Sequence, residues 1–189
     1  MSKKTTRNEI NQVLWAASDT FRGKIDSSIY KDYILVMLFV KYLSDAYKET
    51  EAKYFEQYNG NEERIKRALE RERFILEEKS TFDYLYSKKN DPAIGEIINT
   101  SLVKLEESNS GKLRNVFRNI DFNSEATLGS TKERNVVLRT LLEDFYKLDL
   151  SPSKLAGNDV IGDAYQYMIE NFASDAGKKG GEFFTPSSV

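Results

Sequence analysis

The 189-residue sequence contains neither cysteine nor histidine, and only three prolines. Each absence closes a class of chemistry. Without Cys there is no disulfide and no thiolate metal site, which fits an intracellular chain. Without His the commonest acid–base group and the commonest zinc ligand are both missing, so Ser-His-Asp triads and HExxH zinc sites are excluded. Pro92, Pro152 and Pro186 are never adjacent, so any motif built on Pro-Pro is absent too. No GxGxxG or GxxxxGK[ST] loop occurs. The central apolar run, Ile34 to Val40, is seven residues, far short of the roughly 18 that cross a bilayer. The opening MSKKTTRNE carries no apolar stretch of the signal-peptide kind. The expectation is a cytoplasmic protein without membrane contact.

Charge of either sign is not in excess: 28 Lys and Arg face 30 Asp and Glu, a net of −2. Nothing in that balance calls for nucleic acid, so any DNA contact has to come from a local patch or a partner. With 40% hydrophobic and 31% charged residues, the composition is that of a folded globular chain.

What is present is helical. Residues 27–50 centre on the apolar run, which sweeps nearly two turns and leaves no face polar; such a helix belongs inside a core. A buried strand is the rival for Ile, Val and Phe. Helical spacing continues through Tyr42, Leu43, Ala46 and Tyr47, and Ser27 or Ser28 can cap the start, so helix is the better reading. Residues 5–24 form the preceding helix, with Ile10, Val13, Leu14, Ala17 and Phe21 on one face and Trp15 expected to complete the core.

Further on, Asn59-Gly60-Asn61 signals a turn, and residues 62–73 read as a basic but charge-paired helix with Ile65 and Leu69 inward. Its Arg64, Lys66, Arg67, Arg71 and Arg73 are read as a solvated face rather than a DNA contact. Phe82, Tyr84, Leu85 and Tyr86 cluster before Asp91, the expected N-cap of a helix through Ile94, Ile98 and Leu105 with Pro92 at its first position. Ser110-Gly111 is expected to end that helix, and 112–117 to form another turn or two. Residues 121–129 read as a polar loop. Ser130-x-x-Glu133 is a capping box opening a helix through Val136, Val137, Leu141, Leu142 and Phe145. A last helix is expected after Asn158 or Asp159, on Ile161, Ala164, Tyr165, Met168 and Phe172. The predicted fold is all-α: a bundle of about six or seven helices around the buried 27–50 element.

The end of the chain is unusual. A basic, Gly-rich stretch, Gly177-Lys178-Lys179-Gly180-Gly181, leads into Phe183 and Phe184. Thr185 and Pro186 then look like the N-cap and first position of a helix that the sequence leaves unfinished. Free amides beside aromatics suit a ligand with a carboxylate or an adenine ring. A following domain is therefore expected.

Three blocks together resemble a known family: LWAASDTFRGKID at 14–26 with YKDYIL at 30–35 and FVKYLSD at 39–45, DVIGDAYQYMI at 159–169, and GKKGGEFFTP at 177–186. In order and spacing they resemble the N-terminal helical region of the modification (methyltransferase) subunit of type I restriction–modification systems; residues 49–119 are less distinctive. The resemblance implies transfer of a methyl group from S-adenosylmethionine to the N6 of adenine in a bipartite DNA site. It implies a complex of two modification subunits with one specificity subunit, to which a restriction subunit can add, acting on double-stranded DNA. The helical region would serve subunit assembly and DNA clamping. Residues 1–175 would be the helical domain and 176–189 the linker and first residues of the methyltransferase domain, an α/β fold. Glu182, Phe183, Phe184, Thr185, Pro186 and Ser187 would border the S-adenosylmethionine pocket, with Phe184 where Tyr is frequent and Ser187 where Arg is frequent. The family's Gly-rich cofactor loop and Asn/Asp-Pro-Pro-aromatic motif are not in the sequence, so no catalytic or metal-binding residue is expected within it, and residues 1–189 alone are expected to be inactive. The alternative is a stand-alone helical protein-interaction module with no catalytic role.

Overall fold

In a computed structural model of the chain, the described residues are 4–155 and Gly162. They build α1 (Arg7–Phe21), α2 (Ser27–Gln57), α3 (Glu62–Leu69), α4 (Phe82–Ser87), α5 (Ile94–Ser108), α6 (Ser110–Leu113), α7 (Glu125–Leu128) and α8 (Thr131–Tyr146), with one 3₁₀ turn at Glu78–Ser80. No strand occurs among the described residues. The all-α expectation holds, and the count exceeds it because short turns at α4, α6 and α7 are separately helical. The predicted last helix and the start of an α/β domain lie outside the described residues.

Three of the four long helices, α1, α2 and α8, start where side chains satisfy free amides. Thr6 and Glu9 form a capping box on α1, and Ser130 and Glu133 form the predicted one on α8; such caps contribute about 1 kcal/mol each. On α2 the cap is Asp26, which accepts from the Ser28 amide at 2.8 Å, and not Ser27 or Ser28. Asp91 likewise does not cap α5: its Oδ1 accepts from Ala93 N in a turn, and α5 begins only at Ile94. Ser110-Gly111 opens α6 instead of only ending α5.

The core runs through the middle of α2. All seven residues from Ile34 to Val40 are buried or half-buried, as a helix without a polar face requires. Ile10, Leu14, Ala17 and Phe21 of α1 face it. The hub is shared, however: α8 packs on α1, α2, α4, α5 and α7, whereas α5 reaches the bundle through α4 and α8. Trp15 is not in the core. It is 43% exposed beneath the Arg22 guanidinium, 4.8 Å from the ring centre, because it stands about 100° around the helix from Leu14. Val136 is exposed too.

Two irregular stretches are tied down by Asn side chains. In the predicted polar loop, Phe122 is fully buried and meets Tyr33 edge-on at 5.0 Å. Asn99 holds that loop, accepting from Phe122 N at 2.9 Å and donating to Asp121 Oδ1 at 2.7 Å. The loop lies so close to α5 that a Cβ on Gly95 would stand 2.5 Å from the Phe122 carbonyl. The basic helix stops at Leu69 rather than at Arg73, and the chain beyond it is captured by Asn109. That side chain is 6% exposed, accepts from Ile75 N at 2.8 Å and donates to Ile75 O at 2.7 Å. It supplies the pairing a neighbouring strand would otherwise give. Asn109→Ala is expected to lower the unfolding free energy by about 2–4 kcal/mol, since two buried backbone groups lose their partners. Urea denaturation measures it, and Asn109→Asp should recover part of the loss by keeping the acceptor for Ile75 N.

Candidate functional site

A single polar arrangement crosses the bundle from its first residues to its last described ones. It begins inside α2, where Lys41 Nζ lies 2.7 Å from Asp45 Oδ1, with side chains only 6% and 12% exposed. The i,i+4 spacing puts both groups on one helix face, and that face is covered, with Lys41 Nζ 5.3 Å from the Phe82 ring centre. One turn along, Ser44 donates to Val40 O and accepts from Phe82 N at 2.8 Å, fixing the start of α4.

The second carboxylate oxygen of Asp45 points outward along the chain, accepting from Leu150 N at 2.7 Å. Burial pushes the Asp45 carboxyl above its ordinary range, and the Lys41 ammonium opposes that shift. One turn further on α2, Glu49 accepts from Ser153 N at 3.0 Å and from Lys53 Nζ at 2.5 Å. Burial works to raise the Glu49 pKa, but the hydrogen bonds from Lys53 and Ser153 outweigh it and bring it down to about 2.

The segment these carboxylates hold folds as a turn over Ser151-Pro152-Ser153-Lys154, closed by Lys154 N donating to Ser151 O at 2.8 Å. Proline at the second turn position presets its φ. Asp149 caps the turn from outside, accepting from Ser151 N and Ser151 Oγ. The other side of the segment meets the front of α1. Thr5 N donates to Lys154 O at 2.8 Å, Thr5 Oγ1 donates to Asp149 O at 2.6 Å, and Thr5 pairs with Leu155 in an isolated parallel bridge. Residues 149–155 are thus clasped between the N-terminus of α1 and the middle of α2.

This arrangement positions the 149–155 segment on α1 and α2. No cluster able to hold a metal occurs among the described residues, and no helix among them is long and apolar enough to cross a membrane. On α3, Arg67 pairs with Glu63 at 2.5 Å, and beyond its end Glu72 accepts from Tyr54 OH. Lys112, Arg114 and Arg118 are exposed. Glu182, Phe183, Phe184, Thr185, Pro186 and Ser187 lie outside the described residues. Sequence reasoning missed the clasp, whose visible trace is an ion-pair spacing, Lys41 to Asp45, directly after the apolar run at 34–40.

The model of the HsdM N-terminal domain family matches residues 10–145, from the first buried residue of α1 to the last of α8. The chain belongs to the HsdM N-terminal domain family. The N-6 DNA methylase family model matches residues 156–189. The chain is 30% identical, over its whole length, to the type I restriction enzyme MpnII methylase subunit of Mycoplasma pneumoniae, and spans 40% of that protein. It is 28% identical to the MjaIX methylase subunit of Methanocaldococcus jannaschii, with 96% of this chain and 34% of that one aligned. The crystal structure of the type I restriction-modification system methyltransferase subunit from Streptococcus thermophilus superposes with a TM-score of 0.73 at 27% identity, covering 97% of this chain and 42% of that one. The clasped segment falls between the two matched stretches: the HsdM N-terminal domain match ends at residue 145, and the methylase match starts at 156.

Two outcomes are expected from the clasp. Asp45→Ala should destabilise the chain by about 3–5 kcal/mol in urea unfolding, since it strands a buried ammonium and the Leu150 amide; Lys41→Met/Asp45→Ala should cost clearly less. Glu49 has a folded pKa below its ordinary 4.5, so its stabilisation is complete above about pH 4.5 and fades as pH falls toward 2. Midpoints of urea unfolding across that window should fall more steeply for the native chain than for Glu49→Gln.

Proposed function

We propose that the chain is the assembly and DNA-clamping region of a type I restriction–modification DNA adenine-N6 methyltransferase subunit. In this reading the complete subunit transfers methyl from S-adenosylmethionine to adenine in a specific DNA site, in the cytoplasm. The observation that carries the reading is the tandem order of the two family matches within one chain, with residues 149–155 anchored on α1 and α2 between them. Residues 1–175 are the helical domain, and 176–189 lead into the methyltransferase domain. Glu182, Phe183, Phe184, Thr185, Pro186 and Ser187 form one wall of the S-adenosylmethionine pocket. The partners are the specificity subunit, a second modification subunit, the restriction subunit and double-stranded DNA.

Within this scheme the helical domain's own chemistry is mechanical. Its sequence contains no histidine, the commonest acid–base group. A clasp that fixes the chain at residue 155 sets where the following segment starts relative to the bundle, so any force on the bundle from subunits or DNA is passed on without slack.

The test is methyl transfer from labelled S-adenosylmethionine to duplex DNA in the presence of the specificity subunit. The polypeptide encoded by the complete reading frame is compared with residues 1–189. Activity of the complete polypeptide and none of residues 1–189 is the expected result, with Thr185→Ala raising the KM for S-adenosylmethionine. A reading frame that stops at codon 189, with protein binding but no methylation, would instead support a stand-alone interaction module.

A further inference from the structure

On the opposite side of α2 from its buried half, the polar end of that helix and α3 enclose an open groove of about 1030 Å³. Its floor is apolar: Ala52 and Phe55 from α2, Ile65 and Leu69 from α3, and Ile75 and Leu76 from the stretch that Asn109 secures. Phe55 is 60% exposed, yet it is not loose. Gly60, in the left-handed turn after α2, packs against the ring so closely that a Cβ there would lie 3.3 Å from it. A large exposed aromatic beside a close backbone contact is the type of anchor on which helix-binding grooves rely.

The rim selects among occupants. Glu51, Glu56, Glu62, Glu70 and Glu77 border the groove, against Lys48 and Lys66. Lys48 is already engaged with Asp83 at 2.8 Å, so the border presents a strongly negative field over an apolar floor. The chain's own amphipathic stretch, residues 158–172, cannot answer that field, for it carries Asp159, Asp163 and Glu170 and no Lys or Arg. We propose that this groove docks an amphipathic helix of a partner protein, with an apolar stripe seated on Phe55, Ile65 and Leu69 and Lys or Arg residues on both flanks against the glutamate rim. Such a helix needs only about three turns to cover α3, which is about 12 Å long at 1.5 Å per residue.

The probe is a fluorescein-labelled 14-residue helical peptide with Leu and Phe at i, i+3, i+4 and i+7 and Lys on both flanks. It is titrated with the chain in fluorescence anisotropy, beside an otherwise identical peptide in which Glu replaces every Lys. The expected result is saturable binding of the basic peptide only, weakening with salt, at least tenfold weaker to Phe55→Asp and to Glu51→Lys/Glu56→Lys. Both variants alter exposed positions, and their unfolding midpoints should match the native chain. Equal binding of both peptides, or unchanged binding to Phe55→Asp, would overturn the proposal. So would tighter binding to Lys178→Glu/Lys179→Glu, which would mark residues 177–186 as the occupant. A dimer in sedimentation that Phe55→Asp dissolves would assign the groove to a second copy and overturn it equally.

Discussion

A lysine and an aspartate held almost entirely out of water set the terms for everything around α2. Desolvating Lys41 and Asp45 costs several kcal/mol per ion, and their contact at 2.7 Å offsets that only if the remaining lone pairs of the carboxylate are also satisfied. Leu150 N fulfils that condition at 2.7 Å. The pair therefore cannot be at low energy unless the chain returns past α8 and lays its backbone along α2. A hydrophobic pair of similar volume would fill the space with no such requirement. The ionic pair adds direction: only one backbone amide, presented from one side, completes it.

The same logic explains why the clasp has three strands of support rather than one. Asp45 fixes Leu150, Glu49 fixes Ser153, and Thr5 fixes Asp149 and Lys154 from the other flank. The proline turn between them has few conformations to lose, because Pro152 presets φ. Asp45 and Glu49 stand one helical turn apart, and their acceptors take the Leu150 and Ser153 amides on either side of Ser151-Pro152. The Thr5–Leu155 bridge is then the natural extension of a short extended segment with donors and acceptors left over.

Local rules made most of the fold legible. The apolar run at 34–40, the box at Ser130 and Glu133, and the face of Ile10, Leu14, Ala17 and Phe21 each depend on residues within a few positions, and the structure follows them. Long-range pairings were not legible. Asn109 shortens α3 by capturing Ile75 from 34 positions away, and the Asp45–Leu150 contact spans 105. Neither leaves a periodic trace. Phe122 looked like a loop residue because its neighbours are polar, yet Tyr33 and Asn99 draw it inside. Trp15 went the other way: composition favours its burial, but its angle on α1 faces Arg22. The residues proposed for the cofactor came from a motif at 182–187, whereas the clasp came only from geometry.

These two kinds of information fit one another. The family match to the helical unit closes at Phe145 and the match to the methylase opens at residue 156, leaving the clasped segment belonging to neither pattern. A segment outside regular helices is ordinarily where contacts are fewest and motion is expected. Here it is bound by two carboxylates, and hydrogen bonds from Lys53 and Ser153 bring the pKa of one of them, Glu49, down to about 2, so that it is ionised at neutral pH. A joint fastened in this way transmits displacement instead of absorbing it. A shift of α2 therefore carries the backbone of residues 149–155 with it. Asp45 and Glu49 supply that fastening from α2 and Thr5 supplies it from the front of α1, so the segment is held on both flanks.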